Sequence, residues 1–408
     1  MNSTRPVPPV WLMGLSNATL GFALGVNFFV VPQLMASAHV PELTIAAITA
    51  VANTPGFWFV FFAPILDVRF SRRWYAALLA VMSGGAAATA VLSLSHLLVL
   101  QIALVVNGAS ATLSSSALGG WLSNITPDRD KNSLSKWMNI AIFGGTGLIA
   151  GVGSEIVNRL PIVSAAFLIG AIFVLPATIF LFIPAPGPDS RVTGESFRQF
   201  NREVIALLRR REVVIVLLLF LSPCSTFALT NLLGGLGADF HASARAVSLA
   251  GGVGAFLPGL LGCSFFPVIA KRLRLRSFYF ANGIVGCLFT LSLVILPHTT
   301  RTFAMAVFGE FLVQALSYAI QLGIVFEAIG PDNPLAATTF AFLTAATNVP
   351  MTYLTLIDGR AYSSAGITGM LFVDAGVGIL ACIVAAILFA KFDSTAGVRE
   401  NFAALDQR

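Results

Sequence analysis

The sequence predicts an all-α membrane protein of twelve transmembrane helices arranged as two pseudo-symmetric six-helix bundles. Three observations lead there: composition, the length of the apolar runs, and a repeat. Hydrophobic residues make up 57% of the 408 positions and charged residues 10%, where a soluble domain carries about a quarter charged residues. Crossing the hydrocarbon layer as a helix takes about 20 apolar residues. Runs of that kind fall at 10–34, 43–66, 74–95, 97–122, 136–158 and 162–184, then at 213–237, 246–270, 278–297, 302–327, 336–357 and 365–391. Spans so long and apolar satisfy their backbone in lipid only as helices, and the alternation of a membrane barrel is absent.

The repeat shows best in the loops. Phe61 to Tyr75 holds an acid, three arginines and an aromatic pair, and Phe265 to Tyr279 repeats its outline. One constant shift carries Pro64 onto Pro267, Arg69 onto Arg272 and Arg73 onto Arg276. His39 pairs with His241 and His96 with His298 at nearly the same shift. The expected organisation is therefore a first bundle over 1–184, a polar linker over 185–212 and a second bundle over 213–408.

Positive loops stay cytoplasmic. With the N-terminus inside, the inner loops hold every Lys and Arg except Arg159, Arg245, Arg301 and Arg360. Both termini are thus expected in the cytoplasm, and the net charge of +6 reads as an anchoring signal, not as affinity for nucleic acid. Trp11, Trp74, Trp121 and Trp137 fall at inner helix ends, where amphipathic rings favour the interface. Residues 1–10 are polar and proline-rich, so no cleavable signal is expected. The four cysteines lie inside apolar spans without paired spacing, which predicts core residues and no metal site.

In order along the chain, span one carries Asn17 and Asn27 among Gly14, Gly21 and Gly25, and span five is rich in glycine from Gly144 to Gly153. Small residues let helices approach, and polar ones inside a span face the bundle or a water-filled cavity. Span two should bend at Asn53-Thr54-Pro55-Gly56. Intramembrane acids mark functional sites by default. Glu155 and Asp358 have Arg159 and Arg360 nearby and read as interfacial. Glu310 and Asp374 remain, each about nine residues, roughly 13 Å at the helical rise, from the outer end of its span. Gln314, Ser317, Tyr318 and Gln321 continue from Glu310 at helical spacings, one polar stripe that predicts a cavity wall. Burial favours the neutral form of a carboxyl, so such an acid can take up and release a proton near physiological pH. Asp374 stands alone among small and apolar residues.

A twelve-span duplicated chain with this loop resembles the major facilitator superfamily, whose loop motif runs Gly-x-x-x-Asp-Arg-x-Gly-Arg-Arg. Asp67, Arg72 and Arg73 match it; Ala63 and Ser71 replace the glycines, Val68 follows the acid, and the loop is one residue longer. Asp67 to Trp74, the run Ala337-Thr338-Thr339-Phe340-Ala341-Phe342-Leu343-Thr344-Ala345, and Glu310-Phe311 are similar to the muropeptide permease and acetyl-coenzyme A transporter family. The resemblance implies the major facilitator fold in a bacterial inner membrane, a monomer surrounded by lipid, and a small-molecule substrate. It also implies a cavity on spans one, four, seven and ten, with Asn17, Asn27, Asn107, Thr226, Thr230, Asn231, Gln314, Tyr318 and Gln321 as lining residues. Asp67, Arg69, Arg72, Arg73, Arg272 and Arg276 would form the cytoplasmic gate, and Glu310 and Asp374 would couple transport to protons. No cofactor is implied beyond the proton gradient. Where those permeases carry a lysine in span two this chain has Phe59, and no Lys or Arg lies deep in any span. That favours a neutral or zwitterionic solute, peptide-, sugar- or siderophore-like, over coenzyme A. An energy-independent facilitator, an exporter and a non-transporting signalling protein stay open. No nucleotide-binding glycine loop and no nucleophile with its base point to an enzyme.

Overall fold

The computed structural model describes residues 8–68, 70–184, 209–243, 253–330 and 333–405, with 202, 204–207, 246 and 247 besides. Arg69 and most of the expected linker lie outside the described residues. All regular structure among the described residues is helical: α1 (Val10–Ser37), α2 (Leu43–Phe61), α3 (Arg72–Leu92), α4 (Leu97–Ile125), α5 (Asp128–Arg159), α6 (Ile162–Leu181), α7 (Arg211–Leu221), α8 (Val253–Ala270), α9 (Leu275–Ile295), α10 (Thr300–Ile329), α11 (336–364) and α12 (367–405). Among the described residues, nine segments are long and apolar enough to cross a membrane, with α11 and α12 reckoned as one run. That run divides at Ala365 and Gly366, where Gly366 takes φ 65°, a conformation open to glycine without steric cost.

The expected span 213–237 departs from continuous helix, and of the expected span 246–270 the helix is described over Val253–Ala270. Residues 213–237 do not form one rod: α7 stops at Leu221, the chain unwinds, and only short 3₁₀ turns follow at Ala228–Asn231 and Leu233–Gly237. The cause is Pro223, which has no N–H to donate and pushes Ser222 into extended backbone at ψ 152°. The bend in α2 comes where its sequence places it, with helix ending at Ala52 and resuming at Pro55–Trp58.

The glycines of α1 and α5 act by close approach. A Cβ on Gly145 would lie 2.9 Å from the Ala18 carbonyl oxygen, and one on Gly14 would collide with Trp137. Both helices contain a widened π-turn, Val26–Val30 in α1 and Ile149–Gly153 in α5. The two turns meet: Val26, Val30 and Ile149 share one buried cluster with α3, α4 and α6. The duplication is visible in the backbone as well, since His39 and His241 take positive φ of 58° and 52°.

Trp11 and Trp74 are exposed as interfacial rings should be, but Trp121 is not. Its side chain is 0% exposed, donates from Nε1 to the Pro184 carbonyl at 3.0 Å and packs edge-on against Phe180. It is a core residue that ties α4 to the end of α6. Trp121→Ala, a large-to-small change in a closed core, should cost about 3 to 5 kcal/mol; a thermal melt in detergent that stays within experimental scatter of the wild type would refute this placement.

Candidate functional site

The halves are joined at one end by a buried carboxylate. The 3₁₀ turn Ala63–Asp67 follows α2 and delivers Asp67 beneath the start of α11. Asp67 Oδ1 accepts from Arg72 Nε at 2.7 Å and from the Ala337 amide at 3.3 Å, and Oδ2 accepts from the Thr338 amide at 2.8 Å and the Thr338 hydroxyl at 2.6 Å. The first amides of a helix lack partners and carry its positive dipole end, so a carboxylate there meets both needs. Arg72 completes the joint by donating from Nη2 to the Pro334 carbonyl at 2.6 Å. Tyr75 fastens the loop with a 2.7 Å bond to the Val68 carbonyl. Asn124, donating to the Asn333 carbonyl, and Ser135, donating to the Ala319 carbonyl, extend the same closure. Backbone comes so close that a Cβ on Gly120 would collide with Ala337. Arg73 is half-buried and Arg272 exposed, and half-buried Arg276 faces Glu327. None of the three makes an ion pair among the described residues.

Above this joint lies a cavity of about 1100 Å³ shared by both halves. Its walls are phenylalanines, among them Phe59, Phe143, Phe256 and Phe311, set with amides and hydroxyls. No Asp, Glu, Lys, Arg or His lines it among the described residues. Asn17, Asn27, Thr230, Asn231, Gln314, Tyr318 and Gln321 all reach it. Asn107 and Thr226 do not. Asn107 sits behind the wall, donating to Asn27 Oδ1 at 2.9 Å and accepting from the Ser83 hydroxyl at 2.6 Å, so it positions Asn27. Thr226 belongs to the unwound stretch after α7. Three further lining amides, Asn53, Asn139 and Asn348, were visible as polar residues inside spans. No helical stripe placed Asn53 or Asn139 on the cavity side, and Asn348 was only an outside candidate.

The stripe on α10 is divided among its neighbours. Gln314 donates to Thr230 Oγ1 at 2.6 Å, and Tyr318 stacks on Phe143 across the halves. Ser317 turns away to donate to the Ser225 carbonyl in the unwound stretch at 2.7 Å. Glu310, 0% exposed, is off the cavity altogether: its Oε1 accepts from Thr290 of α9 at 2.7 Å.

The other acids correct the sequence reading. Asp358 is not paired with Arg360: it is fully buried, and the carboxyl beside it is that of Asp374 on α12. Asp374 therefore does not stand alone.

Residues 13–336 match the sequence profile of the Major Facilitator Superfamily. No curated protein sequence matches the chain. Among solved structures, the E. coli fucose:proton symporter is similar over 93% of this chain and 98% of its own, at 15% identity and TM-score 0.72. A proton:xylose symporter with bound 6-bromo-6-deoxy-D-glucose is similar over 92% of this chain and 94% of its own, at 15% identity and TM-score 0.65. A bacterial homologue of the iron transporter ferroportin, in an outward-facing state, covers 95% of this chain and 100% of its own at 16% identity and TM-score 0.61.

The joint yields a direct expectation. Asp67→Asn keeps the shape but removes the charge that Arg72 and the α11 terminus require. A cysteine replacing Ser116, which lines the cavity, should then react several-fold faster with a membrane-impermeant maleimide applied from the joint side. Unchanged labelling would mean that Asp67 does not hold this end shut.

Proposed function

The chain belongs to the Major Facilitator Superfamily, and from that premise we propose a proton-coupled secondary transporter that moves a small neutral or zwitterionic organic solute by alternating access. The fold is that of a multi-pass membrane transporter and not of an enzyme. The observation that carries the finer reading is the cavity: large, shared by both halves, free of charged lining among the described residues and shut at the Asp67 joint. A phosphate-rich solute would call for buried cations. A ring of phenylalanines with amides suits a solute with apolar faces and hydroxyl or amide edges, such as a sugar, a short peptide or a siderophore. The permease resemblance stands with that reading as a proposal.

Asp67, Arg72, Arg73 and the loop around Arg69 act as the cytoplasmic gate, with Arg272 and Arg276 as its second copy. Both termini then face the cytoplasm of a bacterial inner membrane, and the cavity opens outward. The first bundle spans 1–184 and the second 213–408, bridged by 185–212, in a monomer surrounded by lipid. In this superfamily's scheme the bundles rock around a midplane site. Proton binding at Glu310 and Asp374 biases one of the two states.

An energy-independent facilitator is the second reading, favoured by the bond from Thr290 that holds Glu310 away from the cavity. Two measurements separate them. A thermal-shift screen of neutral sugars, short peptides and siderophores identifies the solute, since a ligand at a hundred times its Kd stabilises by about 2.7 kcal/mol. In proteoliposomes, Glu310→Gln should then lose accumulation driven by a pH gradient at least ten-fold while solute exchange persists. Accumulation that survives the substitution assigns Glu310 to the core and the facilitator reading prevails.

A further inference from the structure

Four buried carboxyl oxygens have no hydrogen-bond donor: both oxygens of Asp358, Oδ1 of Asp374 and Oε2 of Glu310. They belong to three acids on three successive helices, α10, α11 and α12, and each acid is at most 6% exposed. The Asp358 and Asp374 carboxyls are neighbours, and Glu310 lies near enough for its charge to bear on Asp374. The remaining titratable groups around them are Cys287 of α9, which feels both Glu310 and Asp374, and Cys382 of α12 with Cys224 beside it. Among the described residues no Lys, Arg or His pairs with the cluster, Arg360 makes no ion pair, and no group of three His, Cys, Asp or Glu is arranged to hold a metal ion.

Two carboxylates cannot face each other in a dry site with nothing between them. No hydroxyl, amide or cation donates to either carboxyl among the described residues, and a proton between Asp358 and Asp374 would meet that need. We infer that Asp358 and Asp374 form a second proton-binding site that holds one proton in common and takes up another when its side of the bundle opens.

On uptake, the free carboxylate oxygen of the pair binds H⁺ and the charge of the pair goes from −1 to 0; release reverses this. No other reactant is needed. The site lies one helical turn from the cavity, because Thr355, three residues before Asp358 on α11, lines it. It also has a route to the gate, because α11 begins at the amides held by Asp67 and carries Asp358 near its far end. The inference deepens the proton-coupled reading and rests on it for its purpose: Glu310, held by Thr290, is then the neighbour that tunes the pair, and Asp358 is its essential new member.

The test is a carboxyl infrared titration of the full chain in detergent from about pH 5 to about pH 9, the window in which a coupling acid must work. The wild type should show a protonated-carboxyl band that survives Glu310→Gln and is lost equally in Asp358→Asn, Asp374→Asn and the double variant, because a shared proton belongs to the pair. Read in the Glu310→Gln background, where Glu310 contributes no band of its own, a band that persists in either single asparagine variant overturns the inference, as does a wild-type band that disappears entirely with Glu310→Gln. Should the asparagine variants fail to fold, aspartate-selective ¹³C labelling of the wild type decides, since only an aspartate band would move. The titration is run in sodium and in potassium, and a band that answers to sodium but not to pH also overturns it. Solute uptake is no part of this readout. A pair that titrates in a protein that moves no solute leaves the inference standing and sinks the transport reading; a silent pair in a working transporter does the reverse.

Discussion

The buried carboxylate of Asp67 is the interaction on which the arrangement of the halves depends. Taking an ion out of water costs several kcal/mol, and attraction to one partner repays that only when the remaining lone pairs are filled. Arg72 alone would leave three positions empty. The start of α11 supplies them with two backbone amides and the Thr338 hydroxyl. The charge is therefore satisfied only while the two halves are together at this end. That makes the joint a conditional contact, tight when closed and expensive when half open, and it explains why Gly120 must yield its side chain to let Ala337 approach.

A second constraint comes from the unwound stretch after Leu221. In lipid its free carbonyls could not go unpaired. Neighbouring side chains take them up: Tyr353 donates to the Leu221 carbonyl, Ser317 to that of Ser225 and Gln314 to that of Phe227. Asn282 adds a bond to the Ser225 hydroxyl. The polar residues of α10 thus serve two surfaces, a broken helix on one side and the cavity on the other. Gln314 belongs to both, since the amide that secures Phe227 and Thr230 also lines the cavity.

What could be read from the sequence follows the strength of each signal. Spans of about 20 apolar residues leave a helix little alternative, and Pro55 after Asn53-Thr54 announced the bend in α2. Pro223 carried the same information for α7 and was outweighed by the apolar run around it. The Asp358 error has a plain geometric source: residues two apart on a helix do not face each other, so Arg360 was never placed to neutralise it. The true neighbour lies on the next helix, beyond any pattern within one span. Asn107 and Glu310 face neighbouring helices and not the cavity for the same reason, since periodicity identifies a polar side of a helix but does not say which neighbour it faces.

These constraints also bound the energetics of the proposed cycle. Breaking a buried ion pair by removing one partner costs about 3 to 5 kcal/mol, and reversing a two-state population from 1:99 to 99:1 takes about 5.5 kcal/mol of differential binding. The figures are close. A cavity without charged residues can offer a solute only contact and neutral hydrogen bonds, and a ligand shifts an equilibrium only by its unequal affinity for the two states. A solute that meets both states with similar walls would fall short of opening the Asp67 joint unaided. A protonation change in the acid cluster supplies a difference of charge where the solute supplies none, and α11 is the element the two share.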